Sequence, residues 1–190
     1  MEDAPQLLLM YVVYPVWVAA GFADWACHRR TRIESTSGIR ESLFHWLLMA
    51  EIGVAMLAVA LFEVNAAILL LVFATFLAHE LTTWIELHYV VPLREVTPTE
   101  QMIHSVMEIL PLLSLALLAV QDWGQVLSLF DQAMPDFGFR LKDEPWPSSY
   151  LWTAFGAAAL FNGLPLAEEG WRCWRSRGSL RSPRPTNRAP

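Results

Sequence analysis

Residues 66–89 read AAILLLVFATFLAHELTTWIELHY. The first half of this run is uncharged and holds no polar side chain but Thr75, whereas the second half carries His79, Glu80, Glu86 and His88. An apolar stretch of this length crosses a hydrocarbon core of about 30 Å as an α-helix, because in lipid every backbone N–H and C=O must be satisfied within the segment. Stretches of similar character on either side give five predicted spans, at residues 7–27, 41–62, 66–89, 98–120 and 150–166. Only Glu63-Val64-Asn65 separates the second from the third, which predicts a tight antiparallel helical hairpin. The expected fold is all-α: an integral membrane bundle of about five transmembrane helices, four of them surrounding a polar metal site. Residues 1–170 are read as this bundle. Residues 171–190, rich in Ser, Pro and Arg, are read as a basic disordered cytoplasmic tail.

Composition points the same way. Of 190 residues, 55% are hydrophobic and 17% charged, with a mean hydropathy of +0.35, which excludes a disordered chain, a collagen-like repeat and a disulfide scaffold. The two cysteines, Cys27 and Cys173, are far apart and form no CxxC pair, so they are expected as free thiols. A net charge of −6 argues against a nucleic-acid partner. The expected partners are membrane lipids and an apolar or lipid substrate, with the oligomeric state left open. Glu2 and Asp3 stand where a signal peptide would carry cations, so the first span reads as a retained helix. With the N-terminus outside, 11 of the 13 cations fall on the cytoplasmic side, and only Arg140 and Lys142 lie outside, within an acidic connection.

The informative residues are the ionisable ones inside the spans. Asp24 and His28 end the first; Glu41, His45 and Glu51 lie in the second; His79, Glu80 and Glu86 in the third; Glu100, His104 and Glu108 in the fourth. In the expected orientation all of them fall in the cytoplasmic half of the bundle. Asp24 and His28, Glu41 and His45, and Glu100, His104 and Glu108 follow at four-residue steps, and His79 and Glu86 are seven apart, so each helix presents one polar stripe. Glu80 and Glu51 stand about 100–120° away from the stripes of their helices. His88 lies nearly opposite His79 and is read as interfacial.

Four unpaired acids at mid-membrane, Asp24, Glu51, Glu80 and Glu108, would cost about 10–14 kcal/mol, which rivals the stability of a domain. The first four spans contain no Lys or Arg except Arg40 at a helix end, so the expected counter-charge is bound metal. Without the seven interior acids Asp24, Glu41, Glu51, Glu80, Glu86, Glu100 and Glu108, the net charge would be +1. Each residue also has a plainer reading. Glu100 follows Thr97-Pro98-Thr99 and serves equally as a capping-box residue. Glu41 and Glu86 lie near the interface, and a lone intramembrane His or Glu is often a satisfied helix–helix hydrogen bond. Several histidines and acids at one level are not accounted for in that way.

The roughly eight to ten donors that converge exceed the four to six one ion takes, so two or three transition-metal ions are expected. Carboxylate-rich donors favour iron or manganese and also suit zinc. Ferritin-like di-iron sites use the same donors at Glu-x-x-His spacing, whereas this chain has Glu-x-x-x-His. The run Asp24-Trp25-Ala26-Cys27-His28-Arg29, with Ile33-Glu34, Gly38, Glu41-Ser42-Leu43-Phe44-His45, His79-Glu80, Trp84, Thr97-Pro98-Thr99-Glu100-Gln101, His104 and Glu108, resembles a group of small bacterial inner-membrane proteins. The resemblance covers about residues 24–111. It implies a multinuclear metal site within a helical bundle of the bacterial inner membrane, and no particular reaction. The HxxxH and HxxHH boxes of membrane fatty-acid hydroxylases are absent. Two classes of function follow. One is a metalloenzyme acting on a lipid or other apolar substrate, oxidoreductase- or hydroxylase-like with iron or manganese and hydrolytic with zinc. The other is a non-enzymatic protein that binds, senses or transports metal.

Overall fold

A computed structural model describes residues 4–130 and 134–177. These form six helices: α1 (Ala4–Thr31), α2 (Ile39–Leu61), α3 (Ala66–Val90), α4 (Pro98–Gln121), α5 (Trp123–Ser128) and α6 (148–176). α1 contains a π-turn at Leu9–Val13, and α6 contains another at Ala159–Gly163. Helices α1 to α4 are each long and apolar enough to cross a membrane. α6 is not among them. It continues to Ser176, so residues 171–176 are helical where a disordered tail was expected. The remainder of that tail, 178–190, lies outside the described residues.

Local chemistry sets the helix ends. α1 stops at Arg32, which takes a left-handed conformation with φ 57°. α2 starts after Gly38, whose φ of 68° and ψ of −146° suit a residue without a Cβ. The Asn65 side chain accepts from the Ile68 N–H and begins α3. Thr97 and Glu100 form a reciprocal capping box at the start of α4, with Pro98 in its first turn.

The five long helices close a ring. α1 packs on α4 and α6, α2 on α3 and α6, and α3 on α4, giving the order α1, α4, α3, α2, α6. Val13, Trp17, Val18, Leu110 and Ala158 join α1, α4 and α6, while Ala58, Ile68, Leu69, Val72 and Leu118 join α2, α3 and α4. The outward faces are apolar as well. Leu70, Phe73, Leu77, Leu81 and Trp84 recur at three- and four-residue steps along α3, all exposed, an arrangement that suits lipid rather than water.

At the end of the bundle remote from the polar residues, the segment 134–147 is laced to the α2–α3 turn. The Glu63 N–H donates to Arg140 O at 2.9 Å, and the Lys142 N–H to Leu61 O at 2.9 Å. Asn65 Nδ2 donates to Gly138 O at 2.7 Å.

Candidate metal centre

One turn separates Asp24 from His28 on α1, and the ring brings α4, α2, α3 and α6 to the same level. His104 Nε2 lies 2.9 Å from Asp24 Oδ1. His28 Nε2 lies 3.4 Å from the same oxygen and 3.3 Å from Glu100 Oε1. The imidazoles of His28 and His45 stack with centroids 4.4 Å apart and planes 4° from parallel. Glu169 of α6 bridges them, with Oε2 3.1 Å from His28 Nδ1 and Oε1 2.7 Å from His45 Nδ1. The other nitrogen of His45, Nε2, is 2.8 Å from Glu86 Oε1 on α3. Every long helix therefore supplies a side chain. His28, Glu41, Glu100 and Glu169 are each at most 1% exposed, too deep to be solvated individually.

The expectation that no protein cation neutralises these acids is corrected. Arg94, in the loop between α3 and α4, turns back into the bundle with its side chain 4% exposed. Its guanidinium binds Glu100 through Nη2 at 2.5 Å and Nη1 at 3.1 Å. It also binds Glu41, through Nε at 3.1 and 3.2 Å and through Nη2. Burial alone would lower the Arg94 pKa, but the two carboxylates outweigh it and raise it. Its place outside the predicted spans hid this role, because a loop arginine counts for orientation and not for pairing. Glu100 is thus a helix cap, an arginine partner and a neighbour of His28 at once.

Of the eleven predicted ligands, Asp24, His28, Glu41, His45, Glu86, Glu100 and His104 are brought together. Glu51 and His79 stand apart as their own pair, with His79 Nδ1 3.6 Å from Glu51 Oε2 and Thr82 donating to Glu51 Oε1 at 2.7 Å. Among the described residues Glu80 and Glu108 make no hydrogen bond or ion pair. Glu108 lines the cavity around the histidines. His88 is exposed, with Nδ1 2.8 Å from Trp84 O. Glu169 was missed because the fifth span was ended at residue 166. Its signal was the buried stripe Leu166, Glu169, Cys173, at three- and four-residue steps along α6. Glu168 and Arg172 beside it seat the helix: Glu168 accepts from Trp25 at 3.0 Å and Arg29 at 2.9 Å, and Arg172 pairs with Glu34.

These residues fit metal. The donor atoms of Asp24, His28, Glu100 and His104 lie within 4.8 Å of one another, as do those of His28, Glu41 and His45. His28 Nε2 is buried and makes no hydrogen bond among the described residues, although two carboxylate oxygens stand 3.3 and 3.4 Å away. Donors that share one ion at bond lengths of about 2.0–2.2 Å in tetrahedral geometry are spaced about 3.3–3.6 Å apart. A neutral imidazole has a single N–H, so His28 and His45, with carboxylates at both ring nitrogens, require a second proton or a cation. Both cysteines, Cys27 and Cys173, are buried and free. No protein family, curated protein or solved structure matches this chain, so its character rests on its own geometry: a His/Asp/Glu cluster able to hold metal among apolar, membrane-length helices.

Proposed function

We propose that the chain is an integral membrane metalloprotein that holds two or three transition-metal ions and acts as a metal-dependent enzyme on a lipid or other apolar substrate. The observation that carries the reading is the sharing of His28 by two donor groups, one with Asp24, Glu100 and His104 and the other with Glu41 and His45. Adjacent groups with a common member are what a multinuclear centre requires. The donor set favours iron or manganese and also suits zinc. Bound there, such ions supply Lewis acidity, and iron or manganese also one-electron chemistry.

The chain's own residues prepare the site. With Glu169 accepting from the Nδ1–H of both His28 and His45, the Nε2 lone pairs of the two rings turn toward Asp24, Glu100 and Glu86. Arg94 fixes the carboxylates of Glu41 and Glu100 and offsets part of their charge. Protein purified in detergent without chelators is expected to hold about two or three metal ions per chain, counted by elemental analysis. Fewer than one tightly held ion per chain would sink the reading.

The distribution of Lys and Arg supports the orientation that goes with this reading: N-terminus outside, C-terminus and metal centre on the cytoplasmic side. A reporter active only in the cytoplasm is expected to work when fused after Pro190 and to stay silent when inserted near Asp136. The opposite pattern would reverse the orientation and the side from which metal is loaded.

A further inference from the structure

Trp17 and Ile52 form part of the wall of two cavities. One, of about 100 Å³, surrounds His28, His45, His79 and His104. The other, of about 130 Å³, fills the opposite half of the ring, and among the described residues no charged one lines it. Val13, Met56, Val72, Phe76, Leu110 and Phe155 make much of its wall. Four hydroxyls also reach this wall, and each is already engaged with a backbone carbonyl. Tyr150 donates to Met10 O at 3.0 Å, Ser114 to Leu110 O at 2.8 Å, Thr75 to Val72 O at 2.9 Å, and Tyr14 to Ala154 O. Apart from the indole N–H groups of Trp17 and Trp146, what remains for an occupant is hydrocarbon. The π-turn at Leu9–Val13 contributes Leu9, Met10 and Val13 to this wall, and such turns recur at functional sites.

We propose that this chamber holds the hydrocarbon tail of a single-chain amphiphile whose polar end lies among Asp24, His28, His45 and His104; the proposal rests on the enzyme reading above and names its substrate class. Size argues for one chain. An apolar cavity of about 150 Å³ takes a benzene molecule, so the chamber accommodates roughly six carbons beyond Trp17 and Ile52. The polar cavity, at about 100 Å³, has room for a carboxyl or hydroxyl head and not for a glycerophospholipid with two chains. Trp17 and Ile52, which line both cavities, stand where such a tail would pass between them, and their bulk would favour a thin, unbranched one.

The test uses the full chain in phosphatidylcholine nanodiscs, photolysed with decanoic acid bearing a diazirine at its chain end, with adducts mapped by mass spectrometry. Adducts are expected on Met56, Phe76 or Phe155, competed away by unlabelled decanoate. Ala154→Phe and Ala55→Phe, which place a ring in the chamber, are expected to cut that labelling at least tenfold while metal content stays at the wild-type level. Adducts confined to outward residues such as Leu70, Phe73 and Leu77 would overturn the proposal. So would chamber labelling that both variants leave unchanged, or chamber labelling obtained only from a phosphatidylcholine carrying the diazirine. Metal content measured on the same samples separates the two readings: metal present with no chamber labelling defeats the chamber alone, whereas absence of metal defeats the metal centre.

Discussion

Replacing His28 with alanine is expected to empty both donor groups at once, lowering bound metal from about two or three ions per chain to less than one. His28 is the member common to the groups, and its ring touches Asp24, Glu100, Glu169 and the face of His45. The stability loss follows from the carboxylates left behind. Breaking a buried charged pair by removing one partner costs about 3–5 kcal/mol, which in a chain of this size lowers the melting temperature by on the order of 10 °C. His104→Ala provides the graded companion. His104 belongs to one group and its ring is bonded to Asp24, so loss of a single ion and a smaller drop in melting temperature are expected. His88→Ala serves as control, because His88 is exposed and bonded to the Trp84 carbonyl. Unchanged metal content and melting temperature in both His28→Ala and His104→Ala would remove these residues from the centre.

Arg94→Met is expected to be nearly as damaging, for a different reason. Methionine keeps much of the side-chain volume but withdraws the one guanidinium that Glu41 and Glu100 share. Two carboxylates at most 1% exposed are then left without it. The expected loss is again about 3–5 kcal/mol, read as a lower melting temperature. The second-site changes Glu41→Gln and Glu100→Gln, made in the Arg94→Met background, are expected to recover part of that stability by removing the uncompensated charge. Arg94→Met as stable as wild type, or no recovery in the multiple variant, would show that Arg94 is not the counter-charge.

How much of this was legible in the sequence can be seen residue by residue. The bundle was, because span length and apolar run are properties of single segments that hydropathy measures directly. Asp24, His28, Glu41, His45, Glu100 and His104 were, because a four-residue step fixes a face whatever the helix packs against. Two contributors were not. Glu169 sits in a stretch whose charged neighbours Glu168 and Arg172 depress any windowed average, so the fifth span was ended too early. Arg94 belongs to a loop, and where a loop side chain points depends on tertiary structure that no local period encodes. Glu51 and His79 show the converse failure. Their depth along the helices matched the others, but Glu51 is held by Thr82 and His79, and His79, although it lines the same cavity as His28, His45 and His104, makes no ion pair with the central acids among the described residues.

The order of helices around the ring also bears on how the protein is made. The polypeptide emerges from its N-terminus, so α1 to α4 are in place before the last stave, α6, arrives between α1 and α2. Until then the barrel of helices is open along the seam where His28 and His45 stand, and neither imidazole has Glu169 to orient it. Seating of α6 between α1 and α2 thus completes the set of side chains around His28 and His45. A chain truncated ahead of residue 148 would retain most of the donors yet lack the piece that turns an open row of helices into a closed vessel.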